Sequence, residues 1–183
     1  MGRHKQYKHT ATQGFTLVEL LVTIAIIGIV LAIGTQNFTQ WQTKSRVEAQ
    51  VKQMANDIND LRIRALTTKQ RHSIELYDSK YLLKSYSTQT YTTNAQMVAN
   101  GTILSGGTKT VKYRLKSTSG SGTFFTGNAI EINERGMLAG LPQTIFLATG
   151  ASTSTASINC LTVHTVRVNV GKQNMSTGAC DDQ

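Results

Sequence analysis

Gly14-Phe15-Thr16-Leu17-Val18-Glu19 stands between a basic leader and an unbroken apolar run, and the reading of this stretch decides the fold. Ahead of it lie Arg3, Lys5 and Lys8 with no acidic residue, and from Leu20 to Thr43 there is no charged side chain. A positive segment followed by an apolar one orients the N-terminus toward the cytoplasm. Phe15 to Gly34 is twenty residues, which as a helix would reach about 30 Å, the thickness of a bilayer core. The pattern predicts a helix that crosses a membrane. A secretory signal would be shorter, would end in a small-residue cleavage site and would carry no acid inside it. Glu19 is the odd residue, because a carboxylate at membrane depth costs at least about 2.5 kcal/mol. Either a partner of opposite charge awaits it or it sits in the headgroup zone.

The run resembles the prepilin signature of type IV pilins and type II secretion pseudopilins: a Gly, then Phe-Thr-Leu-Val-Glu, then an apolar helix. The resemblance implies that a prepilin peptidase cuts between Gly14 and Phe15 on the cytoplasmic side and N-methylates Phe15. Glu19 becomes the fifth residue of the mature chain, and in the family that acid pairs with the N-terminal amine of a neighbouring subunit during assembly. An ammonium and a carboxylate neutralise one another where neither could be left alone in apolar surroundings. The leader is longer than many in the family, and the proline often found in the middle of the anchor helix is absent. Local melting during assembly would then fall to Gly28 and Gly34.

Beyond the anchor, Val47, Val51, Met54, Ile58, Leu61 and Ala65 recur at spacings of three and four, while Arg46, Glu48, Lys52, Asp57 and Arg64 fall elsewhere. That is one apolar stripe on a helix, sized to lie against a sheet. No Pro or turn signal separates Gly34 from Leu66, so the helix continues from the membrane segment. A short coiled coil would need more heptads. From Arg71 the period changes to two. His72–Tyr77 and Tyr81–Tyr86 flank the polar turn Asp78-Ser79-Lys80 and read as a hairpin. Ser87 to Thr108 reads as a long surface loop with at most a short strand. Val111, Tyr113 and Leu115 alternate with Lys112, Arg114 and Lys116, which puts three cations on one face of a strand. Ser117 to Gly122 reads as a turn. Phe124-Phe125, Ala129–Ile132 and Thr144–Ala148 read as short strands, the second closed by Asn133-Glu134-Arg135-Gly136 with Gly136 in a left-handed position. Gly150 to Ser157 is a low-complexity loop. Between Ile158 and Val170 the alternation slips phase, as a bulge near His164 or Thr165 would cause.

The fold class expected is α+β and pilin-like: a long N-terminal helix packed on an antiparallel sheet domain. The division is a leader at 1–14, a membrane and filament-core helix at 15–42, and a globular domain at 43–183 whose amphipathic helix covers 43–68. Removing the three leader cations leaves 16 Lys plus Arg against 10 Asp plus Glu, a net +6. A charge of that sign attracts polyanions, although many exported domains are basic and merely solvated. Cys160 and Cys180 are the only cysteines, and in an oxidising compartment they would join, closing a loop worth about 3 kcal/mol. His72 and His164 have no clustered ligands, so no metal and no cofactor is expected. No phosphate loop, nucleophile elbow or paired-acid motif is visible, which ranks an enzyme last. Sequons at Asn37, Asn100 and Asn174 are short enough to arise by chance.

Asp60 to Leu66 followed by Ser73-Ile74-Glu75-Leu76, together with Cys160, Val166–Val170, Gly171-Lys172 and Cys180, resembles the FimT and GspH minor-pilin group. In FimT-type proteins a tail motif of Gly-Arg, two residues and Arg is associated with DNA binding during natural transformation. Here the corresponding run is Gly171-Lys172-Gln173-Asn174-Met175. Lys172 keeps the charge and Met175 does not, so bidentate phosphate contacts are lost at both positions. Lys172, Arg167, Lys112, Arg114 and Lys116 remain as candidates for a nonspecific track along double-stranded DNA. With no aromatic residues interleaved, base stacking has little support. The resemblance implies a minor pilin that assembles with other pilin subunits. It would sit in the bacterial inner membrane before assembly and in the periplasm and on the cell-surface pilus afterwards. A type II secretion pseudopilin is the alternative.

Overall fold

The computed structural model describes residues 14–87, 93–117, 123–139, 143–148, 156–174 and 177–182, with side chains described throughout except at 33–37. The leader apart from Gly14 lies outside these residues. So do most of the turn expected at 117–122 and of the loop at 150–157, and Met175. The chain divides into two compact units, one ending at Thr39 and the other Gln40–Gln183. The sequence had placed the boundary at residue 42.

Helix α1, Leu17–Thr68, runs 52 residues without a break. Thr16 caps it: the Glu19 amide donates to the Thr16 hydroxyl at 3.2 Å, and the Leu20 amide to the Thr16 carbonyl at 3.2 Å. Thr16 and Glu19 thus occupy the N-cap and N3 positions of a Thr-x-x-Glu capping sequence. Within the first unit the described side chains of α1 are exposed. Among the described residues no helix is long and apolar enough to cross a membrane. The expected spanning half is therefore not carried by these residues. Its described side chains end at Ala32, and from Leu17 that gives about 24 Å against the roughly 30 Å of a hydrocarbon core.

Within the second unit α1 behaves as its periodicity predicts. Val47, Val51, Met54, Ile58, Leu61 and Ala65 are all 0% exposed. They join one core cluster with residues from two antiparallel sheets. The first sheet has the order β3-β2-β1-β5-β6, built from β1 Arg71–Tyr77, β2 Lys80–Tyr86, β3 Thr102–Thr110, β5 Thr126–Ile132 and β6 Leu138–Ala139. The second has the order β10-β9-β8-β7-β4, from β4 Arg114–Ser117, β7 Gln143–Ala148, β8 Cys160–Val163, β9 Val168–Gln173 and β10 Cys180–Asp182. Ile74, Leu76, Leu83, Ile130 and Ile132 of the first sheet and Leu115, Ile145, Leu147, Leu161 and Val163 of the second fill the space around the stripe. Side chains on α1 also fix the sheets by hydrogen bonds. Tyr81 donates to Asp57 at 2.6 Å, and burial, with Asp57 beside it, pushes that phenol well above its usual range. Arg62 donates to the Gly136 and Val166 carbonyls, both at 2.9 Å.

Three local expectations are corrected. The region read as a loop at 87–108 contains helix α2, Asn94–Ala99, and most of β3. Thr93 caps α2 through a complete capping box with Gln96. The alternation at 111–116 forms a strand only from Arg114, because the Gln50 side chain accepts from the Lys112 and Tyr113 amides, each at 3.1 Å, and holds them out of the ladder. The phase slip after Val163 is a turn and not a bulge. His164 donates to the Arg167 carbonyl at 2.8 Å, and β8 and β9 pair as a hairpin from Val163↔Val168 to Cys160↔Gly171. A reversal between two strands shifts the inward parity just as a bulge would.

Helix α2 covers a buried polar layer on the outer face of the first sheet. Ser73 and Tyr86 share a hydrogen bond at 2.7 Å, and Tyr86 donates to the Met97 carbonyl at 2.9 Å. Lys84 meets Glu75 at 2.6 Å, both side chains being nearly or fully buried, and donates to the Val98 and Asn100 carbonyls at 2.9 and 3.2 Å. Those carbonyls lie at the C-terminal end of α2, where a cation is favoured. Glu75 Oε1 accepts nothing beyond this ion pair, so loss of the ammonium would leave a buried carboxylate with only the 3.3 Å hydrogen bond from Tyr77 to Oε2.

His72, buried in β1, makes stability pH-dependent. Burial lowers its pKa below 6.5 and nearby Arg64 adds to the effect, while the contact of Nδ1 with the Gln70 carbonyl at 3.0 Å opposes it. The unfolded chain therefore binds this proton more readily than the folded one. Stability should be unaffected by His72 above pH 6.5 and should fall as pH drops from 6.5 through the folded value. Urea midpoints measured between pH 5 and 8 should show this slope, and His72→Gln should flatten it.

Candidate processing and binding sites

The N-terminal motif sits where the backbone changes character. Gly14 to Thr16 lie outside regular secondary structure and α1 begins at Leu17, so the Gly14–Phe15 bond precedes the first helical turn. Phe15 is 81% exposed. A Cβ added at Gly14 would meet nothing within 4 Å. Nothing in the fold requires glycine there, and a requirement for it must come from outside the folded chain. Glu19 is exposed in the first turn of the helix, where a negative side chain complements the helix dipole.

Residues 10–35 match the prokaryotic N-terminal methylation motif. This is a type IV prepilin-like signature, the kind that marks pilin-type subunits for processing and assembly. No curated protein and no solved structure matches the chain. The methylation motif covers the N-terminal segment alone; the sheet unit is characterised by its own geometry.

The five candidate DNA contacts fall in three places. Arg114 and Lys116 lie on one face of β4, with Lys112 just before the strand. Arg167 is in the β8–β9 turn, beside the Val166 carbonyl held by Arg62. Lys172 is on β9, opposite Asp181 of β10. Register follows Lys116 to Phe146, Cys160 and then Gly171 across the sheet. Gly171 therefore shares the face of Lys116, and Lys172 points to the other face. Three strand spacings, about 14 Å, also separate β4 from β9. Lys172 and Arg167 do not extend the stripe.

Other groups do join it. Arg114 Nη2 donates to Asp78 Oδ2 at 2.5 Å, and these hydrogen bonds, helped by Ser79, hold the Asp78 carboxyl below its usual range. The same guanidinium lies 3.4 Å from the centre of the Phe124 ring, and the Lys116 ammonium lies 5.1 Å from it. Phe124 is brought there by a single bridge to Lys116. An aromatic ring is thus interleaved with the cations, contrary to the sequence expectation, and Arg114 and Lys116 already engage it. Lys80 and Lys109 belong to the β2–β3 pairing, where Lys80 faces Thr110 and Tyr81 faces Lys109, so the two lysines point to opposite faces of that sheet. Sequence spacing gave no signal for the Phe124 contact, since Phe124 lies outside the 111–116 alternation. Among the described residues no group of three or more His, Cys, Asp or Glu could hold a metal ion.

Cys160 and Cys180 form the expected disulfide, with Cα atoms 5.9 Å apart. Gly171 is the residue that lets β10 approach. A Cβ there would lie 2.2 Å from the Asp181 carbonyl oxygen and 3.0 Å from Cys180 Sγ. The glycine of the tail motif thus has a packing reason in this chain. Gly171→Ala should destabilise the protein by about 1–3 kcal/mol through overpacking, read from urea unfolding, and should raise the fraction of free thiol after oxidative folding.

Proposed function

We propose that this chain is a FimT/GspH-like minor pilin: a structural subunit, not an enzyme, anchored in the bacterial inner membrane by residues 15–42 and then incorporated into a type IV pilus. The observation that carries this reading is the Gly14-Phe15…Glu19 signature lying across the start of a capped helix. Behind it, α1 continues unbroken into a core-forming stripe. Glycine at 14 has no role in the fold, as a recognition residue for a peptidase would not. The charge-free sequence from Leu20 to Thr43 supports the anchor. A type II secretion pseudopilin would use the same parts. Neighbouring genes for pilus retraction or for a secretin-substrate system would tell the two apart.

Gly14→Val should fold normally yet accumulate as the full-length precursor on an anti-protein blot of membranes. Glu19→Ala and Glu19→Gln should both be cleaved. If Glu19 serves assembly through its charge, both should be depleted from sheared filaments. If it serves only the helix cap, Gln, which also suits the N3 position, should assemble normally. Normal filament incorporation of all three variants would remove the pilin reading.

A second reading is binding of double-stranded DNA on the same scaffold, and the placing of Arg114 and Lys116 on one face of β4 with Lys112 just before it favours it. Since Phe124 is engaged by Arg114, the surface suits phosphates better than stacked bases. Titration of a labelled duplex should give binding whose log K falls with log salt by about 0.9 per phosphate neutralised. Lys112→Ala and Lys116→Ala should each reduce that slope more than Lys172→Ala. Absence of binding at low salt would end this reading.

A further inference from the structure

Trp41 is the chain's one tryptophan, and it is 64% exposed near the start of the second unit. It is not part of the buried cluster. Six residues separate it from Val47, which at 100° per residue sets it about 120° round the helix from the apolar stripe. Its indole does not serve the core. Lys44 and Arg46 follow it, and neither enters an ion pair among the described residues. The nearby acid, Glu48, accepts from the Ser157 amide at 2.9 Å. This short segment therefore presents an exposed indole and two unpaired cations.

Position along the sequence says what would meet them. Between Glu19 and Lys44 no side chain is charged, and a helix of those 24 residues is about 36 Å long. That exceeds the roughly 30 Å of a hydrocarbon core and falls short of the 40–45 Å that includes both headgroup layers. With Glu19 in the inner headgroup layer, Trp41 comes about 32 Å beyond Leu20, at the outer edge of the hydrocarbon. An amphipathic ring is favoured at that level, and cations just beyond it meet lipid phosphates.

We propose that Trp41, Lys44 and Arg46 form a seat for phospholipid headgroups on the periplasmic face, fixing the depth of the subunit before assembly. The indole lies at the boundary of headgroup and acyl chain, and the two cations contact phosphate. The proposal rests on the membrane-anchored reading above.

The test uses the full chain reconstituted in nanodiscs containing anionic phospholipid, with Trp41 as the intrinsic fluorophore. The expected result is a blue-shifted emission relative to the urea-unfolded chain and loss of most acrylamide quenching. Quenching by lipids spin-labelled near the headgroup should be strong, and by lipids labelled at the chain terminus weak. Lys44→Ala with Arg46→Ala should weaken the shallow quenching and make it insensitive to anionic lipid content. A chain that enters the nanodiscs but keeps water-like emission and full acrylamide quenching overturns the headgroup seat alone. Quenching that is instead strongest from the chain terminus also overturns it. A chain that does not co-elute with nanodiscs overturns the anchor reading, and the seat with it.

Discussion

The apolar stripe from Val47 to Ala65 is the constraint on which the second unit depends. Six side chains with no exposure occupy one face of α1 and contribute to a single cluster with both sheets. At about 1.5–3 kcal/mol for each large aliphatic side chain buried, this is the largest concentration of apolar burial contributed by one element. Neither sheet has another helix of comparable length to cover its inner face. The polar ties from Asp57, Arg62 and Gln50 to the strands then fix where along the helix each sheet sits.

Much of this was legible because it depends on local period. The stripe, the β1–β2 hairpin around Asp78-Ser79-Lys80 and the left-handed Gly136 each follow from a pattern within about ten residues. Helix α2 was not legible. At six residues it is too short to show a 3.6-residue period, and its stability comes from the Thr93–Gln96 capping box and from Tyr86 and Lys84 reaching up from β2. The buried Glu75–Lys84 pair was missed for the same reason. Charges on alternating strand positions read as solvent-facing until something covers them.

The candidate site divides in the same way. Gly14, Phe15 and Glu19 belong to one short motif and could be named from sequence, and the disulfide followed from there being two cysteines in a chain read as exported. The basic surface could not be drawn, because it is assembled by strand register. Lys172 and Lys116 look equivalent in sequence and point to opposite faces once Phe146 and Cys160 set the parity between them. Phe124 and Asp78 meet Arg114 only through contacts between segments apart in sequence.

The cap at Thr16 gives cleavage before Phe15 an electrostatic meaning. The Gly14–Phe15 bond lies ahead of α1, so a peptidase acting there would not need to unwind the helix to reach it. The new ammonium would then stand one residue ahead of a helix N-terminus that already carries about half a positive charge. Like charges would be placed together by the cut, and the helix's own Glu19 can compensate for only one of them. A processed subunit would therefore carry an excess of positive potential at its tip that a carboxylate from elsewhere relieves. Processing would in that way convert a helix that is complete on its own into one that is more stable beside another.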